Sequence, residues 1–309
     1  MIKRNHIDRI KNLPRRSKAY FALGLVCFFW GTTWIASKQG VRHMPALQLA
    51  GIRQLAGGLL YVIYFLSKGR VLPKGKEWKP ILVLSFLNFM LANALSTWGL
   101  QYIPGGLGSI IAATYPLWIV VIAMIGKKVK LPWMALAGFC IGFAGICVIF
   151  SEHLDQLINP SFLFGIFLSL VATWAWAFGT IYTKQQARSF NPYYSLGLQM
   201  IISGALVMLI ADTTGLSVPI ASIPYQSWLA ISYLVLFSSI LTFVAFLYAL
   251  QHLSPEQTSV YAYVNPIIAV VFSALLFNEK LTVLLAVGVG ITLYGVYVIN
   301  RSLTKQRKL

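Results

Sequence analysis

Apolar residues run along the chain in long blocks separated by short polar and basic stretches. The blocks fall at about 19–39, 46–66, 80–100, 105–126, 132–150, 161–183, 193–211, 228–250, 256–277 and 281–299. A helix that crosses the hydrocarbon layer of a bilayer needs about 20 mostly apolar residues. Each block approaches that length, and none alternates as a half-buried strand does. The pattern predicts an all-α polytopic membrane protein with ten transmembrane helices. The connections are too short for a separate soluble domain. The first block follows a basic tail, as a secretory signal would, but no small-residue cleavage site stands after it. It is read as a retained helix.

A second pattern is repetition. An ungapped comparison of 78–149 with 228–299 finds 18 identities in 72 positions. They include Gln101/Gln251, Ser109/Ser259, Pro116/Pro266, Gly138/Gly288 and Gly145/Gly295. Apolar bias does not readily produce Gln, Pro and Gly pairs. Upstream, Pro45/Pro192 and Gly57/Gly204 match at an offset of 147. Residues 19–151 and 160–300 thus predict two five-helix repeats, flanked by basic tails at 1–18 and 301–309. Five is odd, so the second repeat crosses in the opposite sense to the first. Inverted repeats are a recurring plan of secondary transporters, because two such halves can exchange conformations and expose a central site to each side in turn.

Composition strengthens the membrane reading. Hydrophobic residues make up 58% of the chain and charged residues 10%, against about 25% charged in soluble domains. With both termini cytoplasmic, that side receives 21 of the 25 Lys and Arg. They lie in the two tails, around Lys68 to Lys79, at Lys127, Lys128 and Lys130, and at Lys184 and Arg188. Lys38, Arg42 and Lys280 face out, and Arg53 falls inside a span. This asymmetry supports both the ten spans and the orientation by the positive-inside rule, and the expected location is the inner membrane. The net charge of +18 therefore serves topology. With no soluble region to hold a duplex, a nucleic-acid partner is not expected. Cys27, Cys140 and Cys147 lie in apolar blocks and are read as packing residues.

Several motifs then resemble a family. The first block holds Phe29-Trp30-Gly31-Thr32-Thr33-Trp34-Ile35-Ala36-Ser37-Lys38, and the second holds Gly51-Ile52-Arg53-Gln54-Leu55. The ninth reads from Ser259 to Pro266, and is followed by Phe277-Asn278-Glu279-Lys280-Leu281-Thr282 and a Gly-rich last block. In order and spacing these resemble the EamA-type members of the drug/metabolite transporter superfamily, over about residues 19–300. The resemblance implies ten helices, cytoplasmic termini, and export or exchange of a small metabolite. The first half departs from the pattern, with Gly126-Lys127-Lys128-Val129-Lys130 where the second has the Glu279 turn. The repeat partner of Arg53 is Met200, so any role of Arg53 belongs to one half only.

Candidate chemistry is that of a binding cavity. Pro116 and Pro266 each remove a backbone donor near mid-span. Such a break suits a hinge or a cavity wall. Asn88, Asn93, Tyr115, Tyr261 and Asn265 lie at similar depth, with Ser238, Ser239 and Thr242, and need polar partners there. Trp30 and Trp34 share a helix face, as do Trp174 and Phe178, with Trp176 on another face. Aromatic walls with a few polar groups suit an amphipathic solute. Arg53 has three readings: binding a substrate carboxylate, gating the outer mouth, or snorkelling to headgroups. Lys38, at the outer end of its span, is expected to snorkel. The expected substrate-binding set is Trp30, Trp34, Arg53, Asn88, Asn93, Tyr115, Trp174, Tyr261 and Asn265.

No Asp or Glu lies clearly within a span, which disfavours proton coupling through a deep carboxylate. The spans hold no HExxH, no GxSxG and no deep His. No catalytic residue, metal or cofactor is expected. The partners expected are a small-molecule substrate and the lipid bilayer. Gly138, Gly142, Gly145, Gly288 and Gly295 would let the fifth and tenth helices pack closely, within one chain or in a homodimer. The expected function is secondary transport of an amino acid or related compound, with a channel or a sugar-phosphate or nucleotide-sugar antiporter as alternatives.

Overall fold

The computed structural model describes residues 14–127, 133–151, 158–186, 191–253, 255–258, 261–277 and 282–306. Lys128, Lys130, Glu152, Asp155, Arg188, Ser259, Glu279, Lys280 and, in the basic tails, residues 1–13 and 307–309 lie outside these residues.

All regular structure among the described residues is helical. Helices α1 (Arg15–Val41), α2 (Ala46–Ser67) and α3 (Gly75–Gly99) are followed by the shorter α4 (Gly105–Ala112) and α5 (Tyr115–Lys127), then by α6 (Trp133–Ser151). The same order returns as α7 (Pro160–Gln186), α8 (Pro192–Thr213), α9 (Tyr225–His252), the short α10 (Pro255–Thr258), α11 (Tyr261–Phe277) and α12 (Val283–Gln306). Among the described residues, six helices, α1–α3 and α7–α9, are long and apolar enough to cross a membrane. Shorter apolar stretches lie in α4–α5, α6, α11 and α12. Large apolar side chains such as Ile63, Phe143, Phe167 and Leu209 remain exposed on the outside. The chain is a multi-pass membrane protein.

Local sequence sets the boundaries. Pro160 and Pro192 open α7 and α8, where a missing N–H costs nothing. Asn191 Oδ1 caps α8 by accepting from Tyr193 N at 3.0 Å and Tyr194 N at 3.1 Å. Helices α2 and α8 end alike. Gly69 and Gly215 adopt φ of 74° and 70°. Beyond them, Arg70 N donates to Phe65 O at 3.0 Å and Leu216 N to Ala211 O at 2.8 Å. This is the Schellman closure, which needs a residue tolerant of positive φ.

A matched pair of lysines donates to carbonyls at and just beyond the C-terminal ends of α3 and α9. Lys38 Nζ donates to Leu100 O at 2.6 Å and Ile103 O at 2.9 Å. Lys184 Nζ donates to Leu250 O, to Gln251 O at 3.5 Å and to Leu253 O at 3.1 Å. Helix C-termini leave orphan carbonyls and partial negative charge, and an ammonium answers both. The expectation that Lys38 snorkels is thereby corrected: its ammonium reaches across to α3. Lys184→Met is expected to lower stability by about 1 kcal/mol, because the carbonyls lose a charged donor but stay partly hydrated. Thermal unfolding in detergent would check this, with exposed Lys76→Met as a control expected to be silent.

Small residues set the helix contacts. A Cβ on Gly288 would lie 2.9 Å from Gly145 O, and one on Gly295 would lie 2.6 Å from Gly138 O, so α6 and α12 touch backbone to backbone. A Cβ on Gly58 would lie 2.8 Å from Gly197 O, which joins α2 to α8 in the same way. Without a hydrophobic force between helices in lipid, such close packing supplies much of the cohesion. The glycine faces of α6 and α12 are thus used within one chain. Helix pairing also survives exchange of the halves: α1 packs on α11 as α7 packs on α4 and α5, and α1 on α9 as α7 on α3.

Candidate substrate cavity

Two stretches of wider helix position the site. Within α3, residues Ser85–Ala94 are π-helical, and within α9 so are Leu234–Thr242. A π turn bonds each residue five positions back and often marks a functional site. Thr242 Oγ1 follows that register, donating to Phe237 O at 2.6 Å. Neighbouring carbonyls accept from other helices. Trp30 Nε1 donates to Ser238 O at 3.4 Å, and Tyr61 OH donates to Ser239 O at 3.1 Å and Ile240 O at 2.9 Å.

Beside these segments lies a cavity with about 890 Å³ of empty space, its open mouth included. Of the residues expected from sequence, Trp30, Trp34, Arg53, Asn88, Asn93, Tyr115, Tyr261 and Asn265 line it. Its lining extends along α1 from Trp30 to Ser37, toward the C-terminal end. The N-terminal half of α1 instead enters a packed core, in which Ala19, Leu23 and Val26 join Trp30, Tyr115, Phe243, Phe246 and Tyr261. Rings dominate the junction between the two. Trp30 lies 5.0 Å from Phe246 and from Tyr261, 5.2 Å from Phe243 and 5.5 Å from Trp176, centroid to centroid. Trp176 Nε1 donates to Tyr261 OH at 2.6 Å, and Tyr261 stacks on Tyr115 at 5.8 Å.

Polar groups punctuate this wall. Arg53 is 3% exposed. Its Nε donates to Ser239 Oγ at 3.0 Å and its Nη2 to Ser238 Oγ at 2.8 Å. It therefore does not snorkel. Gln54 Nε2 donates to Asn93 Oδ1 at 3.2 Å. With its amide turned so that the nitrogen meets the two carbonyls it faces, Asn265 donates to Cys27 O at 2.8 Å and Tyr261 O at 3.1 Å. Asn88 Oδ1 is buried without a hydrogen-bond partner and sits against Gly179, where any Cβ would collide with it.

One expected wall residue is misplaced. Trp174 is 43% exposed and meets the ring of Trp118 at 4.9 Å on the outside of the bundle. Trp174 and Phe178 do share a face, but it is the outer one. Trp176 lines the cavity instead. The signal for the inner face was the hydroxyl stripe Ser169, Thr173, Thr180 and Thr183, all buried and at helical spacing with Trp176. Ser169, Thr173 and Phe243 also line the cavity and were not singled out from sequence.

The two prolines differ locally. Pro116 is the second residue of α5, just past the break at 113–114. Pro266 lies inside α11, so the repeat does not give both halves the same break there. Among the described residues no group of three or more His, Cys, Asp or Glu is placed to hold a metal ion.

Apolar helices surround a ring-lined cavity, and the family this chain matches makes it a membrane transporter. The EamA-like transporter family matches residues 17–151 and again 163–301, and the chain belongs to it. It is 30% identical to the uncharacterized inner membrane transporter YedA of Escherichia coli (strain K12), over 94% of this chain and 92% of that protein. It is 29% identical to the uncharacterized transporter YvbV of Bacillus subtilis (strain 168), over 96% of each. A solved crystal structure shares the fold with a TM-score of 0.69 at 18% identity, covering 92% of this chain and 97% of that one.

Proposed function

We propose that the chain is a secondary transporter that moves a small amphipathic metabolite, an amino acid or related compound, across the inner membrane by alternating access, in export or exchange. The observation that carries this reading is the cavity itself, bordered by the packed ring cluster around Trp30. Rings supply apolar contact, Asn88, Asn93 and Asn265 supply neutral polar contact, and the cluster around Trp30 closes the way through. Rings packed across the N-terminal side of the α1 lining argue for a carrier over an open pore. Among the described residues a single cation lies on the wall, which argues against a multiply charged phosphate, since that would want several.

Ten spans in two inverted repeats fit this reading. The order α1 to α6 recurs in α7 to α12, and helix contacts keep their pattern when the halves are exchanged. With the termini in the cytoplasm, the C-terminal end of α1, along which the cavity lining runs, faces out. Transport then requires the rings to part while the halves rock about the Pro116 and Pro266 regions.

The test is counterflow in proteoliposomes preloaded with an unlabelled metabolite panel. Transient accumulation of labelled solute above equilibrium is expected for at least one member without an imposed gradient. Linear leak, with no overshoot for any solute, would replace the carrier with a pore.

A further inference from the structure

Arg53 is the one charged side chain on the cavity wall among the described residues. Its hydrogen-bond partners are two neutral hydroxyls, those of Ser238 and Ser239. A guanidinium carries five N–H donors. Nη1 keeps both of its hydrogens beyond these two bonds, and the side chain is almost wholly buried. Among the described residues no acidic side chain lines the cavity; Glu77 and Asp212 lie elsewhere. A buried cation without a counterion is costly, and within a membrane span it is retained for a partner. Here the unspent donors belong to a residue that borders empty space. The two serines hold the group in place from the π segment of α9.

We propose that Arg53 is the carboxylate-recognition group of the cavity and that the preferred solute is a monocarboxylate with an apolar or aromatic body and no ammonium group. This rests on the cavity being the transport site. Arg and carboxylate match as a planar, charge-assisted pair. The remaining polar wall is neutral, from Asn, Ser, Thr and Tyr. An ammonium would lose water there and find no acid to receive it. Trp30 offers little cation–π relief, since four rings already pack around it. A zwitterion therefore keeps the attraction of its carboxylate but adds the cost of its ammonium.

A matched set of probes isolates each charge: 3-phenylpropionate, phenylalanine, 3-phenylpropanamide and phenethylamine. Binding is read from quenching of tryptophan fluorescence of the full chain in nanodiscs. The acid is expected to bind about tenfold to a hundredfold more tightly than the amide, the worth of one or two charged hydrogen bonds. Phenylalanine is expected to fall between, and the amine to bind least. Arg53→Gln is expected to erase the preference for acid over amide, and Arg53→Lys to retain part of it. Equal binding of acid and amide by the unaltered protein, binding of none at millimolar concentration, or a preference that survives Arg53→Gln overturns the proposal. The unaltered protein decides even if a variant fails to fold. Counterflow with the same probes separates the two readings. Overshoot without acid preference leaves the carrier and removes the carboxylate site, whereas acid-selective binding without overshoot does the reverse.

Discussion

Gly295→Val is expected to separate α6 from α12 and to leave little well-folded protein. A Cβ at this position would lie 2.6 Å from Gly138 O and 2.6 Å from Gly142 Cα. Both are backbone atoms of the facing helix, so no side-chain rotation can relieve the clash. Overpacking of ordinary cores costs about 1–3 kcal/mol. Here the helices themselves must move apart, and the reciprocal contacts of Gly145 and Gly288 open with them, so the cost belongs at or above the upper end. Gly290→Val is the control on the same helix, because a Cβ there meets nothing within 4 Å. Valine is tolerated in an apolar helix, and a surface change of this kind is usually within about 0.5 kcal/mol. Size-exclusion profiles and melting temperatures of the two variants in one detergent would decide. If both behave like the parent, α6 and α12 are not in contact at this point.

The cavity lining was largely legible in the sequence because depth and residue type carry real information in a membrane. Asn88, Asn93 and Asn265 are costly against lipid, so they had to face protein or a cavity. The structure places all three in the lining of one cavity, with Arg53 and the two tyrosines. Rings gave no such lead. Trp174 and Trp176 are equally content in lipid or in the core, because lipid tails are as apolar as leucine. Only the hydroxyl stripe of α7 separates their faces. The lysine caps escaped notice for a different reason. Lys38 reaches Leu100 and Ile103 across 62 and 65 residues of chain, and no local pattern announces that contact. The π segments are similarly silent: Ser85–Ala94 and Leu234–Thr242 share almost no residues, although they occupy corresponding places in the repeat.

The same contrast between the two tryptophan faces gives the other large expected effect. Trp30→Ala is expected to abolish counterflow and to admit leak, whereas Trp174→Ala is expected to leave both near the parent level. Trp30 is 9% exposed and touches Trp176, Phe243, Phe246 and Tyr261 at once. Removing a buried indole costs about 3–5 kcal/mol where the site cannot collapse. Collapse is restricted here, because the surrounding rings come from α7, α9 and α11 and each is held by its own helix. The freed volume also adjoins a second void, lined by Asn88, Trp176, Phe243 and Phe246 among others, which shares three of those residues with the main cavity. Loss of the indole would therefore tend to join the two spaces as well as weaken the core. Trp30→Phe keeps a ring and loses the N–H that donates to Ser238 O. It is expected to restore the seal while recovering only part of the stability. Proteoliposome efflux measured beside counterflow distinguishes the effects: a Trp30→Ala protein that stays folded, overshoots normally and does not leak would show that these rings are not the closed gate.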